Sequence, residues 1–146
     1  MKTTSAEIRK KLQEVWPDLE YIWLWDTTYW TPNVEAVQLA LDQSKVPTMD
    51  FIDEFNDCDN FALQFLAECR RKRYFQWKDG NLPEDQRYSM TVGFVFGDMF
   101  RGIGKIHAAN LVIDKENDVY ILDSTPGEKR MWKVDPENDN IMFVFM

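Results

Sequence analysis

The sequence predicts an α+β fold in which helices, one of them with a cysteine in its first turn, precede an antiparallel β-sheet. Before about residue 75, apolar residues recur at spacings of three and four, the period of a helix with one buried face. After about residue 88, short alternating runs rich in β-branched and aromatic residues are separated by turn-forming clusters. Helices followed by strands favour α+β over an alternating parallel architecture. A chain of 146 residues suits a single domain, 1–146, with its helical part before about residue 75 and its sheet part over about 88–146. At this size roughly 70% of the unfolded surface is buried, so no covalent staple is required.

Each element has a local reason. Thr4-Ser5-Ala6-Glu7 is a capping box, with Thr4 as N-cap, and Ile8, Leu12 and Val15 line one face until Pro17 stops the helix. Tyr21 to Trp25 suits a short extended segment, and Asp26 to Trp30 an exposed turn followed by aromatics. Thr31-Pro32 marks a second helix start, with Val34, Val37 and Leu41 as its stripe and Pro47 as its end. In the third helix Cys58, Phe61, Ala62, Phe65 and Cys69 share a face, with Asn56 or Asp57 as N-cap. Strands are expected over 88–96, 105–113, 119–123, 131–134 and 141–145, with Gly97-Asp98, residues 115–118, Pro126-Gly127 and residues 136–138 as turns.

Composition narrows the function. A net charge of -8 repels phosphate backbones, which argues against nucleic acid as a partner. The basic run Arg70-Arg71-Lys72-Arg73 is read as a solvated helix exit complementing the helix dipole. No apolar run reaches membrane-spanning length, and the N-terminal segment has no apolar signal core. With only Cys58 and Cys69, the chain lacks a disulfide framework, so a reducing cytoplasm is the expected compartment. Nothing in the sequence specifies an oligomeric state.

The candidate chemistry rests on Cys58, His107 and Asp123. A thiol becomes a useful nucleophile as thiolate, and the first turn of a helix favours that anion through its free N–H groups. The flanking Asp57 and Asp59 oppose the charge, so a working site requires either that those side chains point away or that a cationic partner outweighs them. His107 is the sole histidine, and alternation places it on the side of Leu111 and Ile113. The loop over 114–118 joins two strands as a hairpin, and that pairing brings His107 opposite or diagonal to residues 123–125. A shared face would let Asp123 hold one ring nitrogen while the other accepts the thiol proton. A register slip of one residue would separate them.

The stretches Asn56-Asp57-Cys58-Asp59-Asn60-Phe61-Ala62, His107-Ala108-Ala109-Asn110 and Ile121-Leu122-Asp123-Ser124-Thr125 resemble, in order, motifs of the transglutaminase-like and papain-like cysteine peptidase superfamily. The resemblance covers about half the chain. It implies a papain-like fold, with the nucleophile-bearing helix packed on the antiparallel β-sheet, and a cysteine-dependent hydrolase or acyltransferase acting on an amide or peptide bond, with a peptide or protein substrate. Cys58 would be the nucleophile, His107 the general base and then acid, and Asp123 the orienting group, with no cofactor. The family's further oxyanion donor has Trp30 and Asn56 as candidates here. The glycine or tryptophan often found beside the nucleophile is missing.

Other readings remain. The same scaffold could serve as a catalytically inactive binding or assembly module, for instance in a phage particle, with Cys58 a small buried hydrophobe. A metal site using both cysteines fails, because a continuous helix holds them roughly 16 Å apart when metal–sulfur bonds are about 2.3 Å. That span also excludes a disulfide. Asp50, Asp53, Glu54 and Asp57 lack calcium-loop spacing and read as a solvated acidic face. Gly102-Ile103-Gly104-Lys105 lacks the length and the ending of a phosphate loop. Trp23, Trp25, Trp30 and Trp77 suit either a substrate groove or the core.

Overall fold

A computed structural model of the chain describes residues 1–146. Its elements run β1 (Lys2–Thr4), α1 (Ser5–Val15), β2 (Tyr21–Trp23), β3 (Thr28–Trp30), α2 (Val34–Gln43), α3 (Cys58–Lys78), β4 (Ser89–Met90), β5 (Val92–Phe100), β6 (Ile103–Ile113), β7 (Val119–Asp123), β8 (Arg130–Lys133) and β9 (Asn140–Phe145). Single 3-10 turns occupy Val46–Thr48 and Glu84–Gln86.

The helices begin where their caps place them. The Glu7 backbone N–H donates to Thr4 Oγ1 at 3.2 Å, and the Thr4 N–H donates to the Glu7 carboxylate at 2.7 Å, completing the capping box. The second helix starts later than Thr31-Pro32 suggests: Asn33 caps it, accepting from the Glu35 N–H at 3.4 Å. Asp57 is the N-cap of α3, and Asn60 Oδ1 accepts from its N–H at 3.3 Å. The third helix continues to Lys78, so the basic run is helix interior and not an exit. Arg73 turns inward, its guanidinium 4.5 Å from the Trp30 ring centroid, and donates to the Gln86 carbonyl. Stacking on an aromatic face compensates part of the cation's desolvation. No helix is long and apolar enough to cross a membrane.

The main sheet has six strands in the order β2-β9-β5-β6-β7-β8. It is mixed, because β2 runs parallel to β9 while its other pairings are antiparallel. A second sheet, β1-β3-β4, pairs the N-terminal strand with Thr28–Trp30. The expected wholly antiparallel sheet confined to the second half is therefore corrected: β1, β2 and β3 all precede residue 75 and join the two sheets. Short edge segments such as Tyr21–Trp23 carry no periodicity long enough to announce their partner.

The six-stranded sheet lies between helices. Ile8 and Leu12 of α1, with Trp16, pack against Val95, Ala109, Leu111, Ile121 and Val144. On the other face, Phe61, Phe65, Leu66 and Cys69 of α3 and Val37 and Leu41 of α2 pack against Val112 and Leu122. Both faces of β6 are thereby covered, and every residue from His107 to Ile113 is buried. Gly97-Asp98, expected to turn, instead lies within β5 at a register shift. The chain reverses at Arg101-Gly102, both with positive φ (53° and 76°), as a tight hairpin turn demands. The Asp114 carboxylate accepts from the N–H groups of Glu116 and Asp118 at 3.0 and 2.9 Å, which shapes the β6–β7 loop.

Because Phe65 is fully buried between α3 and the sheet, Phe65→Ala is expected to lower stability by about 3–5 kcal/mol. Trp23→Ala, at a side chain 61% exposed, should change it by less than about 1 kcal/mol. Urea unfolding of the two variants checks the contrast.

Candidate active-thiol site

The site begins with the β6–β7 register. Asn110 pairs with Leu122 and Leu111 with Ile121. Continued one step, that register sets Asp123 across from Ala109, two residues from His107 and on the same face. The result is a buried contact: His107 Nε2 lies 2.6 Å from Asp123 Oδ2, with both side chains under 10% exposed. Asp123 is itself fixed, since its Oδ1 accepts from the Thr125 N–H at 2.9 Å. Phe100 meets the imidazole edge-on, with ring centroids 5.4 Å apart. Gly97 pairs with His107 on the other side, where a Cβ would run into the Asn140 carbonyl.

The sulfur arrives from α3. Cys58 is the first residue of that helix and is half-buried. Asn110 anchors the helix to the sheet, its Nδ2 donating to the Ala62 carbonyl at 2.8 Å and to the Gly93 carbonyl at 3.1 Å. With Nε2 committed to Asp123, Nδ1 is the ring nitrogen left for Cys58. The ring's one short directed hydrogen bond is to Asp123. Cys58 is the ring's second hydrogen-bond partner.

The electrostatics follow from these contacts. Hydrogen bonding to His107 is the main influence lowering the Cys58 thiol below its ordinary value. Burial opposes it, while the Ala108 backbone N–H and the charge on His107 assist and the Asp57 carboxylate resists. Burial by itself would depress the His107 ring, but Asp123 and Cys58 outweigh it and hold the ring up at about 9. These influences keep the ring charged near neutral pH and draw the thiol facing it toward its thiolate. Cys69 is the internal contrast: burial pushes its thiol up to about 12, and it behaves as a core side chain.

The three residues border a cavity of about 320 Å³ whose wall also includes Phe51, Phe100, Thr125 and Trp132. Neither Trp30 nor Asn56 borders it. Trp30 lies under Arg73, and Asn56 braces the loop before α3 by donating to the Asp50 carbonyl and accepting from Gln64. Trp23, Trp25 and Trp77 are exposed elsewhere. The tryptophan at the cavity is Trp132, which pairs with Ile121 in the β7–β8 register and so shares the face of Asp123. That pairing is the signal by which it could have been found.

Neither a protein-family model nor a curated protein matches the chain. Solved structures do. A PSL1a–E64 complex superposes with a TM-score of 0.77 at 17% identity, covering 99% of this chain and 50% of that one. Polyporus squamosus lectin bound to the human-type influenza-binding epitope Neu5Aca2-6Galb1-4GlcNAc gives 0.74 at 17% identity, with 99% and 49% covered. The chain thus spans about half the length of the structures it matches, and likeness at this identity shows the fold alone. The expected papain-like fold and peptidase kinship are corrected by these matches: the fold is shared with a lectin structure, and no family model supports a transglutaminase-like chain. The amide- or peptide-bond hydrolase and acyltransferase assignment falls with that kinship, as do the inactive papain-like module and the peptide or protein substrate.

His107→Ala should return the Cys58 thiol toward its ordinary value, so the midpoint of its pH-dependent alkylation by iodoacetamide moves upward. Site-resolved mass spectrometry reads this, with Cys69 unlabelled in the folded chain as control. Stability carries a matching signature. His107 rises from 6.5 to about 9 on folding, so its charged-ring stabilisation is full below 6.5 and is lost as pH rises through 9. The stability difference between the native chain and Asp123→Asn should therefore shrink across that window, as urea unfolding at several pH values would show.

Proposed function

We propose that the chain is the thiol-bearing unit of a lectin-like protein: a carbohydrate-borne ligand enters the cavity beside Cys58, and the sulfur bonds to it. The observation that carries this reading is the convergence of Cys58, His107 and Asp123 on one wall of a ligand-sized cavity. In the proposed step the thiolate attacks an electrophilic carbon of the ligand and a carbon–sulfur bond forms. The electron pair displaced from that carbon moves to its heteroatom, which takes the proton from the imidazolium. The ring is left neutral, still held by Asp123. Cys58 is then the nucleophile, His107 the proton carrier and Asp123 the orienting group.

The ligand class is supported by the Polyporus squamosus lectin structure, which holds a glycan, and by the cavity wall. Trp132 is an aromatic surface, held in place by its ring N–H donating to the Asp139 carboxylate at 3.2 Å. The free thiols suit a reducing compartment such as the cytoplasm.

A second placement of the glycan is favoured by one feature. Tyr21, Trp23 and Trp25 alternate along and just beyond the edge strand β2 and are each more than 60% exposed, which makes an aromatic ledge away from the thiol.

Two measurements test the reading. Incubation with E64, the molecule in the PSL1a complex, should add one equivalent to the intact mass of the chain and none to Cys58→Ser. No adduct on the native chain contradicts the thiol reading. Calorimetric titration with Neu5Aca2-6Galb1-4GlcNAc should show binding that Trp132→Ala weakens about tenfold or more, the size of effect expected for an aromatic anchor. Loss in Trp23→Ala instead moves the glycan to the edge ledge, and no binding by the native chain removes the carbohydrate part.

A further inference from the structure

The charges around the Cys58 cavity do not cancel. Its wall carries the cations Arg101, Lys105 and Arg130 and the carboxylates Asp123 and Glu128. Asp123 is committed to His107 at 2.6 Å, and Glu128 to the Arg130 guanidinium at 2.9 Å. Arg101 and Lys105 remain without a carboxylate partner. Arg101 is held at the tight β5–β6 turn, where its backbone N–H donates to Asp139 Oδ1 at 2.8 Å. Its guanidinium lies 5.8 Å from the Trp132 ring centroid and forms no salt bridge with an acidic side chain. Two carboxylates lie just outside that wall: Asp139, which accepts from the Arg101 backbone N–H and the Trp132 ring N–H, and Asp57, which acts on the sulfur from the helix cap.

This local excess of positive charge stands out in a chain whose net charge is -8. Two unpaired cations at one mouth repel each other, and a ligand anion relieves that repulsion. The guanidinium offers paired donors matched to a carboxylate, and the ammonium adds a point charge. A cavity with walls of low dielectric focuses such a field and raises the encounter rate of anions.

Resting on the thiol reading above, we infer that the ligand of this site carries a carboxylate or similar anionic group, held by Arg101 and Lys105 while its electrophilic carbon lies on Cys58. An acidic sugar derivative meets that description, and a neutral one does not.

The test compares two alkylating agents of like size, anionic iodoacetate and neutral iodoacetamide. Rate constants at Cys58 are divided by those for free cysteine in the same buffer, and the ratio of the two normalised rates is taken. At low ionic strength iodoacetate should be favoured about five- to tenfold, and the preference should collapse in high salt. Arg101→Gln with Lys105→Gln should bring the ratio close to one, whereas Lys10→Gln on the exposed face of α1 leaves it raised. A ratio of one or less in the native chain overturns the inference, as does a raised ratio that the double substitution does not lower. If Cys58 reacts with iodoacetamide no faster than free cysteine, the thiol reading itself fails and this inference fails with it. Fast iodoacetamide labelling without anionic preference removes the inference alone.

Discussion

The hydrogen bond between His107 and Asp123 is the interaction on which the site depends. It spans adjacent strands at 2.6 Å between two side chains that are both largely buried. Its existence follows from one structural integer, the register of β6 against β7, because a slip by one residue would turn the carboxylate to the α3 face. That register is guarded on both sides. Ala109, Leu111 and Ile121 must meet α1, while Val112 and Leu122 must meet α3. The packing that stabilises the fold is thus the same constraint that aims the imidazole, and the imidazole in turn makes the Cys58 anion tolerable beside Asp57.

Much of this site was legible in the residues. Capping chemistry at Thr4 and Asp57, the apolar face of α3 and the β6–β7 hairpin are all local signals, and together they suffice to bring Cys58, His107 and Asp123 near one another. What could not be read is non-local. The parallel partnership of Tyr21–Trp23 with β9 joins segments separated by nearly the whole chain. The continuation of β5 through Gly97-Asp98 depends on a bulge that no turn rule distinguishes from a reversal. Arg73 was read as solvated, yet Trp30 makes its burial favourable, a pairing invisible until the fold sets them face to face. Trp30 was for the same reason misplaced near the thiol.

The difference between motif and fold is instructive. Three short stretches in the right order located chemically related side chains, because a helix-start cysteine, a strand histidine and a strand-end aspartate answer a local electrostatic need. They carried no comparable information about ancestry, and the shape of the chain matches half of a lectin instead. Site chemistry and fold kinship are separate inferences. Here the first rests on the contacts of named atoms and the second on superposition.

With a single histidine in the chain, the state of the site can be read directly from the imidazole nitrogens by NMR across a pH series. The account predicts that both nitrogens of His107 carry protons at neutral pH and that the ring titrates near 9, falling when Cys58 is replaced by serine. A ring that is neutral at pH 7, with a midpoint at or below its ordinary 6.5, would contradict the ion pair and the reactive thiol built on it.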